Sequence, residues 1–121
     1  MYVKGDCMNT ENKEQILIFY IAVIVYEFSS DAADYQSLYR EDYVLVQAFS
    51  DEDARQKASQ LAQQGTYKNE QGENITLVVK HILDVSPVLS ENFEHGADLY
   101  SRHFRNYQAY VAFEPLLSGG L

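Results

Sequence analysis

Ser50-Asp51-Glu52-Asp53-Ala54-Arg55 opens the stretch that decides the fold, which continues through Gly65 and Tyr67-Lys68-Asn69-Glu70-Gln71-Gly72-Glu73 to a β-branched run ending at Val85. Ser50 can accept a hydrogen bond from the free N–H groups of a first helical turn, and Asp53, three residues on, can reach back. Asp51, Glu52 and Asp53 lie where the positive end of the helix dipole favours carboxylates. Ala54, Ala58, Leu61 and Ala62 recur at i, i+4, i+7 and i+8, a narrow stripe of mostly small residues that lets a helix lie close to a sheet. The helix is therefore expected over Ser50–Gln64. Gly65 suits the left-handed position that ends helices, and Gly72 is expected to take positive φ in the turn that launches the next strand.

Upstream, Ile16-Leu17-Ile18-Phe19-Tyr20-Ile21-Ala22-Val23-Ile24-Val25-Tyr26 is apolar on both faces and β-branched, the pattern of a central strand. Eleven residues are too few to span a bilayer as a helix. Ser29–Asp42 reads as a fourteen-residue connection and Tyr43–Phe49 as a second strand leading into the Ser50 cap. Downstream, Ile75, Leu77, Val79, Leu83 and Val85 alternate with polar residues as a half-buried strand, with His81 on its apolar face as a hydrogen-bonded core histidine. Ala97–Arg105 reads as the last strand, with Tyr100, Arg102 and Phe104 on one face. Asn106–Phe113 fits a short helix capped by Asn106 better than a strand.

These elements sum to an α+β domain over residues 16–117. It is a mostly antiparallel four-stranded sheet with one main helix on a face, in the order β-β-α-β-β, with a short C-terminal helix. Residues 1–15 read as a flexible leader and 118–121 as a flexible tail. A strand apolar on both faces needs two covers, and one alanine-rich helix supplies one. The C-terminal segment or a second copy of the chain is expected to supply the other, which points to a homodimer.

Charge narrows the choice of partner. Nine basic residues against eighteen acidic ones give −9, which disfavours nucleic acid and anionic membrane and either favours basic proteins or simply maintains solubility. Cys7 is the single cysteine, so neither a disulfide framework nor a thiolate metal cluster is available. Asp6, Glu11 and Glu14 against Lys4 and Lys13 are the wrong balance for a signal peptide, so a cytoplasmic location is expected. His95 and His103 with Glu91 or Glu94 match no zinc spacing, and no serine, threonine or cysteine has a base at a recognisable distance in sequence. No metal, cofactor or catalytic set is therefore expected.

The candidate binding residues fall in two places. Tyr67, Lys68, Asn69, Glu70 and Glu73 form a dense polar segment, although Asn69, Gly72 and Asn74 suit a plain turn equally well. Tyr35 and Tyr39 belong to the acidic connection with Asp31, Asp34, Glu41 and Asp42. Two functions fit these features. The first is a small acidic non-catalytic interaction module, antitoxin-like, immunity-like or regulatory, that binds a basic protein. The second is a small-molecule sensor or minor enzyme with a pocket beside Tyr67–Glu73.

The helix, the Tyr67–Glu73 segment, Ile82-Leu83-Asp84-Val85 and Gly96-Ala97-Asp98-Leu99-Tyr100-Ser101-Arg102 together resemble an uncharacterised bacterial family, domain of unknown function 4288. The resemblance runs from about Phe19 to Phe104. Tyr-x-Asn-x-x-Gly-Glu after a helix is its distinctive motif. Phe19-Tyr20 occupies the place of the family's first-strand aromatic pair without the tryptophan often found there, and Asp98 stands where glutamate is expected. The resemblance implies the domain limits and a bacterial origin, and brings no catalytic residue with it.

Overall fold

The computed structural model describes residues 16–90 and 92–118. The expected leader over residues 1–15, Cys7, Glu91 and most of the expected tail lie outside the described residues. The elements are β1 (Ile18–Ser29), β2 (Leu38–Ala48), α1 (Asp51–Leu61), β3 (Gly65–Lys68), β4 (Asn74–Pro87), α2 (Tyr107–Phe113) and α3 (Pro115–Ser118). The four strands form one antiparallel sheet in the order β2-β1-β4-β3. The order along the chain, β-β-α-β-β, is the expected one, and the doubly apolar run sits in the middle of the sheet.

One face of β1 packs under α1. Tyr20, Ala22, Ile24 and Tyr26 join Val46, Ala48, Ala54, Ala58 and Val85 in a single core cluster. Ala22, Ala48, Ala54 and Ala58 are completely buried, so methyl-sized side chains on both sides let the helix approach the sheet. Burying a side chain the size of Ile24 stabilises the fold by roughly 1.5–3 kcal/mol. Leu61, expected on the same stripe, is exposed instead. Tyr26 is buried as well, and its hydroxyl accepts from the Gln63 N–H at 3.0 Å, tying the end of α1 to the central strand.

The helix ends are set by local chemistry. Ser50 Oγ accepts from the Asp53 N–H at 3.1 Å, and Asp53 Oδ2 accepts from the Phe49 N–H at 2.9 Å. The second bond reaches one residue further back than the usual reciprocal cap. The other end differs from expectation: the chain turns extended at Ala62, whose N–H still donates to the Ala58 carbonyl. Gly65 does not end the helix and instead opens β3.

β4 departs from simple alternation. Val23 pairs with Asp84 and Ile24 with Ile82; Val25 pairs with His81 and Tyr26 with Val79. Leu83 and Lys80 are thus extra residues in two bulges, and each reverses the facing of the residues after it. Leu77, Val79, Ile82 and Val85 face the core, while Leu83 is 43% exposed and His81 is exposed rather than buried.

Two further expectations are corrected. The connection between the first two strands spans residues 30–37, because β2 begins at Leu38. Ala97–Arg105 forms no strand; the fourth strand is instead β3, which pairs with Asn74–Leu77 at the start of β4. The chain after Pro87 crosses the second face of the sheet as irregular backbone. Phe93 meets Phe19 at 5.2 Å between ring centroids, and Tyr100 meets Tyr43 edge-on at 5.4 Å. The second face of β1 is therefore covered in part from within the chain. Beyond it, α2 forms where expected, with the Asn106 side chain accepting from the Ala109 N–H at 3.0 Å. No helix among the described residues is long and apolar enough to cross a membrane.

Candidate functional site

The Tyr67–Glu73 segment is a hairpin connection held by one side chain. Tyr67 and Lys68 end β3. Asn69 Oδ1 accepts from the N–H groups of Gln71 and Glu73 at 3.0 and 2.9 Å, and its Nδ2 donates to Glu73 Oε1 at 2.8 Å. The Asn69 N–H donates to the Glu73 carbonyl and the Gly72 N–H to the Asn69 carbonyl, both at 3.0 Å. Lys68 Nζ donates to Asn74 Oδ1 at 3.0 Å. Gly72 sits at φ +82°, in the left-handed region that the turn requires. The side chains of Lys68, Asn69 and Glu73 thus bond within the turn itself, while Tyr67 and Glu70 are exposed.

Tyr35 and Tyr39 are separated by the start of β2. The Tyr35 N–H donates to the Ala32 carbonyl at 3.3 Å in the 30–37 loop. Tyr39 lies in the strand, exposed, and its hydroxyl donates to Glu27 Oε2 at 3.2 Å. Glu27 also faces Lys80 Nζ at 3.4 Å. A hydrogen bond from Ser37, then Lys80 and the Tyr39 hydroxyl, hold its carboxyl below the usual range.

A concavity lies elsewhere, on the second face of the sheet. It encloses about 530 Å³ between the strands and the crossing chain, lined by Ile21, Tyr43 and Leu45 below and by Phe93, Glu94, Gly96, Ala97, Leu99 and Tyr100 above. This volume falls in the ~300–1,000 Å³ range of small-ligand sites. Gly96 at φ +85° and the Ala97 N–H bond to the Glu94 carbonyl (2.9 Å) form the turn that shapes its roof. The Ser90 N–H donates to the Asp98 carbonyl at 3.0 Å and closes the base of that loop.

Two tyrosines define the cleft's polar chemistry. The Tyr100 hydroxyl donates to Asp84 Oδ2 at 2.7 Å, and the Tyr43 hydroxyl donates to Glu41 Oε1 at 3.2 Å. Burial, and then the Asp84 carboxylate, push Tyr100 up to about 12. Burial and then Glu41 push Tyr43 up too. Asp84 also accepts from Ser86 Oγ (3.1 Å) and the Val85 N–H (2.9 Å), and the Tyr100 hydroxyl leads these in holding its carboxyl low. None of the expected binding residues lines this cleft. Its one signal in the sequence is Asp84, a carboxylate inside an apolar strand that needs a partner when half-buried.

Among the described residues no group of three or more histidine, cysteine, aspartate or glutamate side chains is placed to hold a metal ion, and His95 and His103 are exposed.

Comparison with curated proteins and with solved structures found no match. A family model, Domain of unknown function (DUF4288), matches residues 19–101, more than half of the chain. That span takes in nearly the whole sheet, α1, the Asn69 turn and the cleft through Tyr100, and the chain belongs to the DUF4288 family.

Proposed function

We propose that the protein is a non-catalytic interaction module that takes an extended basic segment of a partner protein along the outer edge of β2. The observation that carries this reading is the contrast between the two edges of the sheet. β2 is eleven residues long and pairs with β1 over its whole length without a register shift. Among the described residues its far side has no strand beside it, so a regular ladder of backbone donors and acceptors is offered to an incoming chain. The opposite edge is defended: β3 has four residues, and beyond it β4 carries its two bulges while Gln64 Oε1 accepts from the Val79 N–H at 3.1 Å. On β2 the Gln47 carbonyl is engaged by Lys57 Nζ at 2.9 Å, close to the helix end of the strand.

Side chains support the choice of partner. Leu38, Tyr39, Tyr43 and Leu45 are exposed along the strand, and Glu41 and Asp42 lie among them in a chain of net charge −9. Arg40 is already engaged, with Nε 3.0 Å from Asp42 Oδ1 and the guanidinium stacked over Tyr26 and Phe28. An alternating lysine–valine decapeptide should bind with an affinity that falls as salt rises, and an alternating glutamate–valine peptide should not. Glu41→Lys should weaken the first complex about tenfold or more. Equal binding of the two peptides, measured by calorimetry, would remove the reading.

The C-terminal helices favour self-association as well. Among the helices and strands α2 packs only with α3, and it buries no residue. Phe113 and Leu116 are 77% and 83% exposed, with Tyr107 and Leu117 near them in sequence also exposed. In this reading a second copy covers that surface. Sedimentation at micromolar concentration should give a dimer that Leu116→Asp converts to the 13.9 kDa monomer; a monomeric parent chain would exclude it.

A further inference from the structure

The cleft on the second face of the sheet has a polar character as specific as its shape. Its walls are mainly aliphatic and aromatic, from Ile21, Leu45, Phe93 and Leu99. Among its described lining residues three carry polar side chains, Tyr43, Tyr100 and Glu94. Both hydroxyl protons are given to carboxylates, Glu41 and Asp84, at 3.2 and 2.7 Å. A phenol whose proton is so engaged has lone pairs left and no hydrogen to offer. Glu94, ionised, is an acceptor as well. Among its described lining residues the cleft therefore presents acceptors and no side-chain donor, beside three aromatic rings whose faces attract cations.

We infer that this cleft binds a small amphipathic amine: an apolar body, aliphatic or aromatic, carrying a protonated nitrogen that donates to Glu94 and the two tyrosine oxygens. A carboxylate or phosphate of the same shape finds no side-chain donor among the described lining residues and should bind more weakly. Arg102, whose charge acts on Tyr43, Tyr100 and Asp84, is exposed and does not line the cleft. The inference does not rest on the β2-edge reading: a partner strand along the edge would pair with the backbone of β2, and the amine uses the face of the sheet, although both would touch Tyr43 and Leu45.

The test is a titration of the isotope-labelled full chain, followed by NMR, with four probes: 2-phenylethylamine, its carboxylate counterpart 3-phenylpropanoate, neutral 2-phenylethanol, and methylamine. The aromatic amine should shift the amides of Leu45, Gly96 and Ala97. It should bind about tenfold or more tightly than the carboxylate, the scale of one charge-assisted hydrogen bond. Methylamine, which has the charge without the body, should bind at least as weakly as the alcohol. Ala97→Phe fills the cleft and should abolish the shifts. Glu94→Lys, on an exposed side chain that leaves folding intact, should lower the amine's affinity about tenfold and raise that of the carboxylate. Equal affinity for amine and carboxylate would overturn the inference. So would methylamine matching phenylethylamine, shifts centred elsewhere, or Glu94→Lys leaving the amine's affinity unchanged.

Discussion

The Tyr100 hydroxyl donates to the Asp84 carboxylate at 2.7 Å, and this bond fixes an irregular crossing segment to a central strand. The two side chains stand 16 positions apart, and the chain between them includes Pro87, the Phe93 contact to Phe19 and the Gly96 turn. One bond thus anchors the far end of the cleft's roof. Removing it with Tyr100→Phe leaves Asp84 with Ser86 and the Val85 N–H and should cost about 1–2 kcal/mol in urea unfolding.

The same pair predicts a two-sided pH dependence. Tyr100 is raised from 10.0 to about 12, so the folded state favours its neutral form; that stabilisation is complete below pH 10 and is lost as pH rises through 12. Asp84 is lowered from 3.8, so its contribution is complete above that value and is lost as pH falls through its depressed folded pKa. Urea midpoints measured across pH should fall at both extremes, and Tyr100→Phe should flatten both declines. An unchanged profile in the variant would detach the bond from stability.

Gly72 tests the turn. At φ +82° an added Cβ meets no atom within 4 Å, so the cost of substitution is conformational alone. Gly72→Ala should lose about 1 kcal/mol, Gly72→Val more because of its branched Cβ, and Gln71→Ala little. Melting curves in which Gly72→Val matches the parent chain would contradict this.

Asn69 should matter more than its charged neighbours. Its side chain serves two backbone N–H groups and Glu73, so Asn69→Ala should destabilise by about 1–2 kcal/mol. Lys68→Ala, losing one exposed bond to Asn74, should stay within about 0.5 kcal/mol of the parent chain in the same urea series.

The start of α1 is directly legible in the sequence because it depends on adjacent residues: Ser50 and Asp53 act within one turn, and Ala54 and Ala58 share one face. β1 is equally plain, since a run apolar on both faces has few places other than a sheet's centre. β4 is legible as a strand and illegible in its facing. The bulges at Lys80 and Leu83 arise in its pairing with β1, and nothing local to His81 announces that it points outward. Gly65–Lys68 is too short to show a period, while Tyr100, Arg102 and Phe104 imitate one in a segment that lies over the second face of the sheet. The cleft is hidden for the same reason. Ile21, Tyr43, Phe93 and Tyr100 come from three regions of the chain, and only the path of residues 88–106 across the sheet brings them together.

The outer edge of β2 can be tested residue by residue. Hydrogen exchange of the amides from Leu38 to Ala48 should be measured with and without the alternating lysine–valine decapeptide. An added strand should slow the outward-facing amides of β2 about tenfold or more at saturation and leave β3 unchanged. Protection that appears on β3, or nowhere in the sheet, while the peptide is bound would contradict the assignment of β2 as the docking edge.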